Sequence, residues 1–225
     1  RLFACPDLHV DGWLANRERE KRHGALTYYN FNLRLEATNV CEASCLFCSF
    51  ARLKADSPQA YTLSVEQIFD KLRQRANQPL TEVHIVNGLH PDLPFEYYLD
   101  LLRGIKRLRP DIHLKCFTAV EIAFFADTYG MTDTQVLESL IGAGLNSLPG
   151  GGAEIFAERV RRKICHDKAD ADRYLSIHRI AHRLGMRTNV TMLYGHIETM
   201  EERVDHMLRA RALQDETGGF QAFIP

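Results

Sequence analysis

The chain has 225 residues, 45% of them hydrophobic and 25% charged, ordinary values for a globular domain with a sizeable core. Its 28 Lys and Arg stand against 29 Asp and Glu, and a net charge of −1 offers no global field for nucleic acid or anionic lipid. No apolar run approaches the roughly 20 residues of a membrane span. No secretory pattern opens the chain, which reads as cytosolic.

Residues 7–24 are polar and helix-prone, with Gly24 placed to close a helix after His23. From Leu26 to Ala37 the chain alternates and is rich in Tyr, Phe and Leu, a strand pattern. Ser64-Val65-Glu66-Gln67 opens a helix with a capping-box pattern and apolar positions at Val65, Ile68, Phe69 and Leu72. Val83–Val86 reads as a second strand, followed by a helix from Phe95 to Leu108 that stops before Pro110. Ile112–Phe117 is a third strand, with helices over 119–128 and 134–142. Leu145–Leu148 makes a short fourth strand, ended by Pro149 and three glycines. A helix near 170–184, a fifth strand at Arg187–Leu193, a helix from Glu201 to Gln214 and a sixth strand from Phe220 complete the series.

This alternation predicts an α/β fold, a partial (β/α)6 TIM-like barrel of parallel strands. It forms a single core domain over 1–225, with 1–25 an N-terminal helical segment and 26–225 the barrel, ending in strand six. The chain opens at Arg1 rather than Met and stops inside that strand, so the expectation is a longer polypeptide, truncated at its C-terminal end. In such barrels the functional residues lie on loops at the C-terminal ends of the strands.

The loop after the first strand carries Cys41, Cys45 and Cys48. Three thiolates on one tight loop fix three corners of a metal site and supply no fourth. Four cysteines normally complete a [4Fe–4S] cluster, so three suggest one iron left open. A structural zinc site is the other reading; it wants four ligands, commonly as two pairs, and no second pair follows. Cys5, Cys116 and Cys165 are scattered, without spacing partners, and read as ordinary thiols.

Further motifs fall at later strand ends. Asn87-Gly88 follows strand two, where a glycine permits close backbone approach, or simply a turn. Gly150-Gly151-Gly152-Ala153-Glu154 follows strand four. It lacks the Gly-Lys-Ser/Thr of a phosphate loop and reads as a floor beneath a bulky ligand, with Glu154 as hydrogen-bonding group, or as a flexible loop. Leu193-Tyr194-Gly195-His196-Ile197-Glu198-Thr199 follows strand five. His196 is a candidate acid, base or carboxylate donor, and Glu198 or Thr199 alternatively caps the next helix. Arg159, Arg161 and Arg162 are candidate grips for an acidic substrate, or a solvated charged face.

Cys-x3-Cys-x-aromatic-Cys, with Phe47 as the aromatic, resembles the cluster loop of radical S-adenosylmethionine (SAM) enzymes. The resemblance implies a barrel of the radical SAM type and a [4Fe–4S] cluster held by Cys41, Cys45 and Cys48. SAM would chelate the open iron and be consumed as co-substrate. Carried over position by position, it places Phe47, Asn87, Gly88, Ser147, Gly151, Leu193 and Glu198 around SAM. Glu121, Glu154, His196 and Glu198 become the catalytic polar groups. Asn87 stands where the family usually has glycine, which leaves the contact made there open.

Longer strings at 84–98, 117–122, 147–156 and 214–225 resemble the aminofutalosine synthases of the futalosine route to menaquinone. In that family a 5′-deoxyadenosyl radical adds to the enolpyruvyl double bond of 3-[(1-carboxyvinyl)oxy]benzoate and gives 6-amino-6-deoxyfutalosine. The implied partners are that anionic small molecule and a reducing protein such as flavodoxin or ferredoxin, with no nucleic acid and no membrane. Cyclic dehypoxanthinyl futalosine synthase and the deazaflavin-precursor synthase share the shorter motifs and are the enzymatic alternatives. A non-catalytic metal-binding fragment is the alternative from another class.

Overall fold

A computed structural model describes residues 5–225, which divide into two compact units after Asn30. The first holds α1 (Leu8–His23), whose N-cap Asp7 accepts a hydrogen bond from the His9 N–H. Gly24, at φ +59°, closes it, and none of its residues is buried.

The second unit runs β1 (Asn32–Arg34), α2 (Val65–Arg73), β2 (Glu82–Ile85), α3 (Phe95–Leu108), β3 (His113–Cys116), α4 (Ala119–Tyr129), α5 (Asp133–Gly142), β4 (Ser147–Leu148), α6 (Glu158–Ile164), α7 (Ala171–Arg183), β5 (Arg187–Thr191), α8 (Met200–Thr217) and β6 (Phe220–Ile224). The strands form one sheet in the order β1-β2-β3-β4-β5-β6, every pair parallel. Each parallel step needs a crossover, and the helices supply it. The expected partial barrel is therefore present, open between β1 and β6 rather than closed.

Local chemistry accounts for the boundaries. Ser64, Thr118, Thr132 and Thr199 each cap a helix and complete a capping box with the residue three positions on. Gly130 and Gly218 end α4 and α8 in the left-handed conformation. The first strand is shorter than its alternation suggests. Pairing with β2 covers only Asn32 to Arg34, and Leu26–Asn30 is exposed irregular chain. The short helix α6 has no counterpart among the sequence expectations, because seven residues hold too few turns to show a period. Among the described residues, no helix is long and apolar enough to cross a membrane.

Three histidines tie α7, β5 and α8 together. His178 Nδ1 and His182 Nε2 share the Thr188 hydroxyl at 2.9 and 2.8 Å, and His182 Nδ1 meets the Thr217 hydroxyl at 2.7 Å. His206 Nδ1 accepts the Phe156 N–H at 3.2 Å, and its Nε2 lies 2.9 Å from the Thr191 carbonyl. Burial pushes all three down from 6.5, His178 to about 3 and His182 and His206 to about 4. These bases titrate lower folded than unfolded. Their stabilising contribution is complete above 6.5 and is lost as pH falls toward 4. Urea unfolding at about pH 5 is expected to show a loss of about 2 kcal/mol per histidine relative to about pH 7.5. His206→Gln should flatten that dependence; an unchanged slope would count against this origin.

Candidate functional site

The loop after β1 is fastened on three sides. Cys41 N–H donates to the Arg52 carbonyl at 2.9 Å, and Glu42 N–H to the Leu89 carbonyl at 3.0 Å. Leu46 N–H reaches the Ile164 carbonyl at 2.9 Å. Ser44 donates both N–H and hydroxyl to Asp167 Oδ2, at 2.8 and 2.7 Å. Within the loop, Cys48 N–H turns back to the Cys45 carbonyl at 3.1 Å. This bonding holds a stretch that has no regular structure of its own.

The loop faces a cavity of about 360 Å³ at the C-terminal ends of the first four strands. Cys41, Cys45, Cys48 and Phe47 form one wall, Asn87 and Gly88 another, and Thr118, Glu121, Gly151 and Glu154 the remainder. Burial pushes the Cys41 thiol up and the Cys45 thiol to about 11, and the Lys168 charge works against both shifts. A metal would have to displace those protons. Backbone groups of Leu89 and Ala43 also work against the rise at Cys41.

Glu121 is 2% exposed and braces the cavity. Its Oε1 accepts the Asn87 N–H at 2.9 Å; its Oε2 accepts the Thr118 N–H and hydroxyl at 2.7 and 3.0 Å. Burial raises its carboxyl to about 7, against the pull of these donors. Asn87 Oδ1 in turn accepts the Ala37 N–H at 2.7 Å. Two non-glycine residues at the strand ends have left-handed backbone, Phe117 at φ +60° and Glu154 at φ +46°. Each costs on the order of 1–3 kcal/mol and is held by its surroundings. For Phe117 these are Tyr98 and Phe125, packed against its ring.

Lys168, which no motif in the sequence marks, completes the wall. Its Nζ pairs with Glu154 Oε1 at 2.7 Å and stands 5.1 Å from the Phe47 ring centre. Burial opposes its charge, but the Glu154 carboxylate and the Cys45 sulfur outweigh that and raise its pKa. Arg161 is buried, and its guanidinium binds the carbonyls of Gly152, Ala153 and Ala169, the last at 2.5 Å. The other two arginines of that run are engaged outside the cavity lining. Arg159 grips both oxygens of Glu202 and Arg162 pairs with Glu158.

Four candidates are not brought to the cavity wall. Ser147 is buried, with its hydroxyl 2.7 Å from His113 Nε2. Leu193 approaches through its backbone, its N–H donating to the Glu154 carbonyl at 2.9 Å. His196 Nε2 lies 2.9 Å from the Leu193 carbonyl. Glu198 is enclosed within its own loop, accepting Gly195 N–H at 2.6 Å, His196 N–H at 3.0 Å and the Arg203 guanidinium at 2.5 Å. Burial would raise its carboxyl, but these donors together hold it at about 2. The capping role at this helix start falls to Thr199.

Among the described residues, no three His, Cys, Asp or Glu side chains are grouped to hold a single metal ion. Three soft thiols spread along one cavity wall, with no fourth ligand, suit a polynuclear iron–sulfur cluster better than zinc.

The sequence profile of the Radical SAM superfamily matches residues 35–210, and the chain belongs to that superfamily. It is 49% identical over 224 residues to an aminodeoxyfutalosine synthase of Thermus thermophilus and 48% identical to one of Streptomyces coelicolor. These alignments take in 100% of this chain but 60% and 58% of those proteins, so the chain spans little more than half of their length. A 5-amino-6-(D-ribitylamino)uracil–L-tyrosine 4-hydroxyphenyl transferase of Methanopyrus kandleri is 41% identical over 94% of the chain and 57% of its own. The crystal structure of methylornithine synthase shares the fold, with a TM-score of 0.66 at 17% identity over 94% of this chain and 58% of that one.

A methyl group on Gly88 would lie 2.1 Å from the Val40 carbonyl oxygen, just before Cys41. Gly88→Ala is therefore expected to cost about 2–3 kcal/mol and lower the melting temperature by roughly 5–10 °C. Gly142→Ala, with open space around it, should not. Equal melting temperatures for the two variants would refute the close approach.

Proposed function

We propose that the protein acts as an aminodeoxyfutalosine synthase, joining the 5′-deoxyadenosyl group of SAM to 3-[(1-carboxyvinyl)oxy]benzoate to form 6-amino-6-deoxyfutalosine for menaquinone synthesis. The observation that carries this reading is the sharing of one cavity by the Cys41, Cys45 and Cys48 thiols, the Asn87-Gly88 turn and the Glu121 and Glu154 carboxylates. Identity near one half to two aminodeoxyfutalosine synthases supplies the substrate class. When bound, a [4Fe–4S] cluster with SAM supplies the one-electron C–S cleavage and hence a carbon radical for addition.

The chain's own part is binding, orientation and exclusion. Cys41, Cys45 and Cys48 are the ligands, and the ring of Phe47, between the last two, meets the Lys168 ammonium. Asn87, Gly88 and Gly151 present backbone and a small surface on which SAM can lie. Glu121 acts on the site as a brace, since each of its oxygens is committed to Thr118 or Asn87. Arg34, on the cavity lip, is paired with Glu36 of the same lining at 3.2 Å. The Leu193–Glu198 loop, closed by Glu198, sets the shape of the fifth strand end and carries His196 on its surface. The electron comes from a reducing protein of the flavodoxin or ferredoxin kind.

Identity of 41% to the Methanopyrus kandleri transferase favours, as second reading, transfer of the 4-hydroxyphenyl group of tyrosine to 5-amino-6-(D-ribitylamino)uracil. Anaerobic turnover of the reconstituted protein with SAM and each substrate set decides between them. A product of the mass of aminodeoxyfutalosine is expected with the enolpyruvyl benzoate. An adduct formed only with tyrosine and 5-amino-6-(D-ribitylamino)uracil would support the second reading, and 5′-deoxyadenosine alone would sink the first. Cys45→Ala should lose iron and sulfide; full retention would end the cluster assignment.

A further inference from the structure

Lys168 lines the same cavity as Cys41, Cys45 and Cys48, and its charge acts on Cys41 and Cys45. Its position is built from several directions. Glu154 holds the ammonium at 2.7 Å and the Phe47 ring lies beneath it. The residue before it, Asp167, is bonded twice to Ser44 of the cysteine loop, and Leu46 is bonded to Ile164 on the same segment. Arg161 clamps the carbonyls on both sides of this arrangement, Gly152 and Ala153 before Glu154 and Ala169 after Lys168. The segment that carries Lys168 is thus fixed to the loop that carries the thiols.

The ammonium of the Lys168–Glu154 pair lies on the side of the thiol loop, because its Nζ stands over the ring of Phe47, between Cys45 and Cys48 in the chain, and Lys168 lines the cavity together with all three cysteines. Both side chains are largely withdrawn from solvent, with 16% of Lys168 and 10% of Glu154 exposed, so water screens the charge weakly. Three thiolates would leave an iron–sulfur core with net negative charge, and reduction adds one more negative charge. A fixed cation beside them favours the reduced form, because net charge and surroundings set the potential of such centres.

We propose that Lys168, oriented by Glu154 and by the Arg161 clamp, sets the reduction potential of the iron–sulfur cluster bound by Cys41, Cys45 and Cys48. This rests on the cluster assignment made above and extends it to a residue outside the binding loop. Lys168 binds no metal in this role; it makes electron uptake easier by its charge. Glu154 and Arg161 are positioning residues.

Anaerobically reconstituted wild type, Lys168→Met, Lys168→Arg and Glu154→Gln are compared by iron and sulfide content and by potentiometric titration followed by electron paramagnetic resonance. Lys168→Met should shift the midpoint to more negative potential, and Lys168→Arg should restore it. Glu154→Gln, which removes the opposing charge, should shift it to less negative potential. If Lys168→Met assembles poorly, the opposite-signed shift in Glu154→Gln still tests the charge. Clusters that assemble in every variant with the wild-type midpoint would overturn this proposal alone. A wild type that takes up no iron and sulfide would overturn the cluster assignment, and this proposal with it.

Discussion

A buried carboxylate organises the site. Glu121 sits in the first turn of α4, away from solvent, and spends one oxygen on the Thr118 N–H and hydroxyl and the other on the Asn87 N–H. Asn87 passes the constraint on, because its side-chain oxygen accepts the Ala37 N–H four residues before Cys41. The ends of three neighbouring strands are joined in this way by one side chain and one amide. Charge-assisted bonds of this kind contribute about 1.5–3 kcal/mol each, and losing the carboxylate would leave buried N–H groups without partners. The thiol loop, which has no regular structure, depends on that joint for its place above the sheet.

Close backbone approach supplies the second constraint. Gly88 lies against the Val40 carbonyl and donates its N–H to Thr38, so the turn after β2 and the approach to Cys41 run in contact. A side chain on Gly150 would meet the Val190 backbone at 2.8 Å, and one on Gly152, at φ +90°, would meet Val120 at 2.4 Å. Gly151 alone in that run has only the Thr118 methyl nearby, at 3.1 Å, and it faces the cavity. Two of these three glycines are thus needed for packing, and the middle one leaves room for a ligand. Left-handed Glu154 then turns the chain so that its carboxylate meets Lys168.

Much of this could be read in advance because its causes are local. The capping box at Ser64, the Phe95–Leu108 helix and the spacing of Cys41, Cys45 and Cys48 are short-range patterns. The sheet confirms the strand order that they imply. What escaped is long-range. Glu121 was legible as a polar group near the pocket, but its use as a brace depends on Asn87, 34 residues earlier. Lys168 sits in no motif, and its relation to Glu154 and Phe47 exists only in the folded chain. Arg161 looks in sequence like one of three surface cations. It is the one that turns inward, because the backbone carbonyls of the glycine segment and of Ala169 need a donor there.

The distribution of charge gives the cavity its chemical character. Its carboxylates are engaged in place: Glu121 by backbone and hydroxyl donors, Glu154 by Lys168 and Glu36 by Arg34. Glu198, outside the lining, is bound by its own loop and Arg203. None of them projects a free negative charge at the thiols. Arg161, outside the lining, is a cation satisfied by carbonyl dipoles. The charges that line the cavity are therefore paired in place, Lys168 with Glu154 and Arg34 with Glu36, within a chain that carries −1 overall. Because the Lys168–Glu154 pair and the donors to Glu121 are buried and hydrogen-bonded, that arrangement is set before any ligand arrives.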